Sequence, residues 1–283
     1  MTAFAPRTHQ ELLAVLDAED TRLRSSLEDA LARSTWPRRR ASLLGACDVC
    51  REVVRFEVTR HASLRARLLG SAPNWRETLA CPRCRLNNRQ RLVAKELAAR
   101  VRAGDVVYAM EQVTPMFAWL RTVAGISLHG SEYLGPDVAS GTVRGGVRHE
   151  DVTALSFADE SVDWIVSNDV FEHVPDVLAG FREVARVLRP GGGMIMTIPF
   201  HARRPASSVR ARLEGGQVEH LAPPEFHGNP VDPGGSLVFH DFGFDVVERL
   251  EEAGLRARVL AEWSLSTGHL GGPQWYFVAE RAR

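Results

Sequence analysis

The sequence predicts an α/β chain in which a doubly wound sheet follows a small module pinned by cysteines. Three observations carry this reading. Residues 163–200, DWIVSNDVFEHVPDVLAGFREVARVLRPGGGMIMTIPF, read as strand, acidic turn, helix, Pro-Gly-Gly turn and strand. All four cysteines fall in two tight pairs ahead of that block, Cys47-Asp-Val-Cys50 and Cys81-Pro-Arg-Cys84. Short apolar runs and helical stripes then alternate through residues 104–283. The 283 residues suit one large domain or two modest ones, and the expected division lies between 1–103 and 104–283. No apolar run approaches the length of a membrane span. The start, MTAFAPRTHQ, lacks the apolar core of a signal peptide, so a cytoplasmic protein without membrane contact is expected.

The elements follow in order. Thr8-His9-Gln10-Glu11 fits a capping box, and Leu12, Leu16, Leu23, Leu27 and Leu31 recur along one helix face to about Arg33. That face packs on its own domain or pairs with a second copy of the chain. Arg38-Arg39-Arg40 after Pro37 reads as a solvated linker or a nucleic-acid contact. Residues 51–60 alternate as a strand does, with Trp75 to Leu79 as the expected partner. Each cysteine pair lets two thiolates face one ion. Together Cys47, Cys50, Cys81 and Cys84 make the all-thiolate tetrahedral set that structural zinc accepts. Two disulfides or four free thiols are the alternatives, and a cytoplasmic setting disfavours the first. Asn87 or Asn88 caps a helix striped by Leu92, Val93, Leu97 and Val101, which Gly104 ends. The charge is uneven. Residues 1–103 hold 20 Arg and Lys against 11 Asp and Glu, and the remainder 15 against 24. A basic module therefore precedes an acidic one. It attracts the acidic half or grips a phosphate-bearing partner such as RNA.

Asp105 to Ala109 is an apolar strand, and Met116, Phe117, Trp119 and Leu120 give the next helix its apolar face. Gly125 to Gly130 is a second strand. Trp164 to Val166 is a third, with Asn168 and Asp169 at its carboxyl end. Phe181, Val184, Val187 and Leu188 recur at helical spacing, Arg189 to Gly193 stops that helix, and Met194 to Ile198 is the next strand. His201 to Leu237 is too rich in Pro and Gly for a regular element and reads as a functional lid, about 201–237. A helix from Val246 to Ala253 and strands Arg256 to Trp263 and Gln274 to Ala279 finish the chain.

The Asp163–Phe200 block resembles the second half of the class I S-adenosylmethionine (SAM)-dependent methyltransferases of the methyltransferase type 11 branch. There an acidic residue opens a strand, Glu-His follows it, and Arg-x-Leu-x-Pro-Gly-Gly ends the next helix. The resemblance implies a Rossmann-like sheet of seven strands. It also implies SAM as cofactor and methyl transfer to a small-molecule acceptor such as a sugar or another biosynthetic intermediate. An RNA methyltransferase using the basic module is one alternative. A related fold with altered or lost methyl transfer is another, because the family's Gly-x-Gly-x-Gly turn is replaced by Met110, Glu111, Gln112, Val113 and Thr114. The resemblance places Tyr108, Glu111, Gln112 and Thr114 on the methionine side of SAM. It places Glu132 on the ribose hydroxyls, Asp151 and the Val152 N–H at adenine, and Asn168 at the pocket floor. The helix before the first strand lies over the cofactor in that family. The second cysteine pair therefore sits at the lid end of the pocket, with Arg85, Asn87, Asn88 and Arg89 as candidates to face SAM or substrate. His173, His220 and His227 are the candidate catalytic groups.

Overall fold

Residues 2–34, 40–59 and 73–283 are described in this computed structural model. They divide into two units, 1–98 with 260–276, and 99–259 with 277–283. Against the expected single division after residue 103, the first unit ends at Ala98. It also takes in a late return of the chain that no local pattern announces.

In the first unit, β1 (Thr2–Phe4) pairs antiparallel with residues 261–263. Thr8 caps α1 (His9–Asp17) by accepting the Glu11 N–H at 3.1 Å. The Glu11 carboxylate reaches back to the Arg7 N–H at 2.7 Å, one residue before the cap. Ala18 is extended, with ψ 145°, so the single helix expected to Arg33 is two: α1 and α2 (Glu19–Ser34). Leu12 is buried, whereas Leu23 and Leu27 are 59% and 65% exposed. β2 (Arg40–Cys47) and β3 (Glu52–Thr59) form a full antiparallel hairpin, from Arg40 opposite Thr59 to Cys47 opposite Glu52. Val54, Phe56 and Val58 alternate onto the buried face. The expected partner of β3 is thus corrected. Residues 75–78 are a helical turn, α3 (Trp75–Thr78), and only β4 (Leu79–Ala80) joins the sheet. Asn74 caps this turn by accepting the Glu77 N–H, and Trp75 joins the buried cluster of Phe56, Val58, Leu79 and Leu270 from it. Asn87 caps α4 (Asn88–Ala98) by a reciprocal pair: Gln90 N–H to Asn87 Oδ1 at 3.0 Å, and Asn87 N–H to Gln90 Oε1 at 3.2 Å. Arg38, Arg39 and Arg60 lie outside the described residues.

The second unit is built on parallel strands β5 (Val106–Ala109) and β6 (Ser127–Gly130). The small hairpin of β7 (Val143–Arg144) and β8 (Val147–Arg148) follows. β9 (Val162–Asn168) and β10 (Leu188–Thr197) complete the parallel set, β5 pairing with β9 and β9 with β10. The Pro-Gly-Gly segment does stop the preceding helix. It then runs on as an irregular start of β10, where the register with β9 breaks between Leu188 and Gly193. The helices are α5 (Pro115–Leu120), α6 (Val177–Val187) and α7 (Val246–Glu252). Residues 201–241 hold three antiparallel pairs in place of the irregular lid expected. They are β11 (Ser208–Val209) with β16 (His240–Asp241), β12 (Ala211–Glu214) with β13 (Gln217–His220), and β14 (Phe226–His227) with β15 (Ser236–Leu237). Each strand spans two to four residues, too few for an alternating pattern to register. β17 (Leu255–Ser264) and β18 (His269–Arg281) close the topology, residues 277–280 pairing antiparallel with β10. The hydrogen-bonded order is β1-β17-β18-β10-β9-β5-β6. The sheet has the seven strands expected, but its seventh is β1, which the sequence pattern did not reveal. Among the described residues no helix is long and apolar enough to cross a membrane.

Candidate active site and candidate metal centre

The parallel strands of the second unit end at residues that hydrogen-bond to one another, as expected where a doubly wound sheet collects polar groups at its carboxyl edge. Glu111, just beyond β5, accepts from Asn168 Nδ2 through Oε1 at 2.6 Å and from Thr114 Oγ1 through Oε2 at 2.5 Å. Thr114 also caps α5 by accepting the Phe117 N–H. Glu132, beyond β6, accepts the backbone N–H of Gln112 at 2.7 Å and of Val113 at 2.9 Å, both through Oε1. This carboxylate therefore organises the turn in which no glycine is found. Both side-chain ends of Gln112 are engaged, Nε2 donating to the Gly146 carbonyl and Oε1 accepting from the Arg148 N–H. Asp151 Oδ1 accepts from the N–H and hydroxyl of Thr153, beside Val152. Tyr108 is fully buried, its hydroxyl 2.7 Å from Ser131 Oγ and its ring tilted on Phe157, and burial pushes its pKa up. It acts as core beneath the strand end, paired with β6 on one side and β9 on the other.

Asp169, at the carboxyl end of β9, has φ 54°, a left-handed conformation uncommon for a residue with a Cβ. Its Oδ1 accepts from Thr197 Oγ1 at 3.0 Å, and its N–H donates to the Thr197 carbonyl. The turn throws the chain into a 3-10 turn, Phe171–His173, that carries Glu172 and His173. His173 and His227 meet edge to face with ring centroids 5.0 Å apart. His220 stands apart, exposed on the β12–β13 hairpin opposite Ala211. Sequence reasoning passed over the buried Glu172 side chain between the two rings, although it recognised the Glu-His pair.

In the first unit the four cysteines converge. Cys47 and Cys84 sulfurs lie 3.9 Å apart, Cys50 and Cys81 sulfurs 3.8 Å apart, and all four lie within 4.8 Å of one another. A tetrahedral ion with metal–sulfur bonds of about 2.3 Å has ligand–ligand edges of about 3.8 Å, so the donor set fits zinc. Without a cation the thiols oppose one another. The Cys84 hydrogen bond lowers the Cys47 pKa to about 5, and burial with the Cys47 charge pushes Cys50 up to about 12. Two positive side chains of α4 lie on this side of the unit, and Arg91 feels the charge of the cysteines. Arg91 is fully buried over the Phe56 ring and donates to the Thr267 and Gly268 carbonyls at 2.6 Å each. Lys95 pairs with Glu262 and Asp48. Asn88, a candidate to face SAM, instead hydrogen-bonds the Leu270 carbonyl and His269 Nδ1 inside this unit, and Arg89 pairs with Glu77. The partners Glu262 and His269 were illegible because they return from far along the chain.

The family profile described as "Methyltransferase domain" matches residues 92–196. That stretch, a little over a third of the chain, is similar to the methyltransferase domain. The chain is 39% identical over 82 residues to an uncharacterized methyltransferase of Mycobacterium sp. (strain JLS), covering 26% of this chain and 32% of that protein. It is 41% identical over 61 residues to an arsenite methyltransferase of Aquipseudomonas alcaligenes, covering 22% and 18%. The matched stretch thus spans about a third or less of the length of these relatives. Among solved structures, an S-adenosylmethionine-dependent methyltransferase from Mesorhizobium loti is 18% identical with a TM-score of 0.42, over 66% of this chain and 96% of the other.

Proposed function

We propose that the chain is a SAM-dependent methyltransferase acting on a small molecule, with a structural zinc ion held by Cys47, Cys50, Cys81 and Cys84. The observation that supports it is the ring of carboxylates and amides at the carboxyl ends of β5, β6 and β9, inside a methyltransferase domain. SAM supplies an electrophilic methyl on a sulfonium. Glu132 has one oxygen on the Gln112–Val113 turn, and its second oxygen suits a pair of ribose hydroxyls. Asp151 and the Val152 N–H suit the adenine edge. Glu111, Thr114 and Asn168 hold the turn from Met110 in the one shape it needs to admit the methionine end. The acceptor's lone pair forms the new bond as the carbon–sulfur bond breaks, so alignment and exclusion of water matter more than acid–base help. His173 and His227 accordingly orient the acceptor, and His220 is given no step. The hairpins of residues 201–241 support a small acceptor enclosed by the lid.

Calorimetry with S-adenosylhomocysteine tests the reading. Saturable binding well below about 1 mM is expected, and no heat at that concentration sinks it. Metal analysis of the same preparation tests the zinc half, with Cys84→Ser expected to lose the cysteine-bound ion.

A further inference from the structure

We propose a second metal site in the methyltransferase domain, in which Glu172, His173 and His227 bind one divalent transition-metal ion. Glu172 is fully buried, and neither of its carboxylate oxygens has a hydrogen-bond partner. A buried carboxylate with no donor is a costly arrangement that folded proteins avoid unless something compensates it. What faces it are two imidazole nitrogens. His173 Nε2 and His227 Nδ1 each lie 3.6 Å from the same oxygen, Oε1. That is too long for a hydrogen bond. It is close to the separation of two ligands that share one ion at about 2.1 Å. The three donor atoms all lie within 4.8 Å of one another.

The far sides of the rings are arranged as those of metal-binding histidines are. His173 Nδ1 sits 2.8 Å from the Leu237 carbonyl, so it carries the proton and leaves the Nε2 lone pair aimed inward. His227 presents Nδ1 to the Glu172 carboxylate, with the Glu225 carboxylate 3.5 Å from its Nε2 on the far side of the ring. The acceptor behind the His173 ring fixes its tautomer and orientation. Two imidazoles and one carboxylate suit zinc, cobalt, nickel or ferrous iron over calcium or magnesium. Three protein ligands leave a position open for an oxygen or nitrogen donor. The ligands come from the turn after β9 and from β14, and the chain just past β15, the partner of β14, is tied to that turn by the Phe239 N–H to the Glu172 carbonyl at 2.7 Å. An ion here fastens the β14–β15 hairpin onto the domain.

The inference is independent of the methyl-transfer reading, because its readout is metal alone. Full-length protein is stripped with chelator, titrated with Co2+ and followed by absorbance and thermal melting. One Co2+ beyond the cysteine-bound ion is expected, with a rise in Tm. Glu172→Gln, which keeps the shape of the side chain, and His227→Ala, at a partly exposed position, should each lose that ion. Cys84→Ser should keep it. The absorbance separates the two sites, since thiolate-bound cobalt has intense near-ultraviolet bands that nitrogen and oxygen ligands lack. A wild-type protein that takes up only the cysteine-bound ion overturns the proposal. So does unchanged stoichiometry in both His227→Ala and Glu172→Gln.

Discussion

Glu132 shows how one side chain stands in for a missing backbone motif. A glycine turn can follow its path unaided, whereas Met110 to Thr114 carry side chains and must be held. Glu132 Oε1 holds them through two N–H groups, and Glu111 fixes the flank through Thr114 and Asn168. Hydrogen bonds to a charged acceptor contribute about 1.5–3 kcal/mol each, less where water replaces the lost partner. Glu132→Ala should therefore lower stability by about 2–3 kcal/mol in urea unfolding. Glu132→Gln, which keeps an acceptor oxygen, should recover most of it. The acids of this edge were legible because each follows its own strand. Their mutual bonds were not, since Glu111 and Asn168 meet across two strands.

His240 adds a pH dependence at the same scale. Burial lowers its pKa against the opposing help of its contacts to the Pro175 and Val174 carbonyls, at 3.2 and 3.0 Å from Nε2. The folded protein thus holds it neutral where the unfolded chain takes up a proton. Stability from this group is present above the ordinary histidine value of about 6.5 and is lost as pH falls below it. Melting curves between about pH 7 and pH 5 should show that decline, and it should be shallower in His240→Gln.

At the scale of the element, the segment Arg189-Pro190-Gly191-Gly192-Gly193 was legible as a stop signal but not as the beginning of β10. Its glycines have different reasons. Gly191 has φ +83°, while a Cβ on Gly192 would sit 2.6 Å from the Asp163 carbonyl oxygen. Backbone cannot yield as a flexible side chain does. Gly192→Ala should cost about 1–3 kcal/mol in stability and disturb the start of β9, measured by denaturation and by amide exchange at Val162 and Trp164. Helices α5 and α6 of the second unit declared themselves through apolar spacing. The hairpins of residues 201–241 did not, because two-residue strands have no period to read.

Across the whole molecule, the sequence announces two units through its cysteine pairs and its alternating strands and helices, but it hides that the first unit is discontinuous. Trp263 donates its ring N–H to Glu28, His269 Nε2 and Asp48 Oδ2 are 2.9 Å apart, and Leu270 joins the core beside Cys47 and Cys81. A cut at residue 103 separates these partners. Fragment 104–283 should be prone to aggregate and melt below the intact chain. Fragment 1–103 should hold zinc more weakly than the full protein. Equal affinity, measured by competition with a chelator, would show that the late segment is dispensable.

The discontinuous first unit also has a consequence for the order of events during synthesis. Its cysteines emerge early, but the core that shelters them is completed only when residue 276 has left the ribosome. Residues 99–259 are made in between, so the first unit cannot close until most of the chain has been translated. Contacts between residues so far apart close slowly. Early capture of a metal ion by the nascent cysteine pairs would then protect the thiols as well as shape the fold.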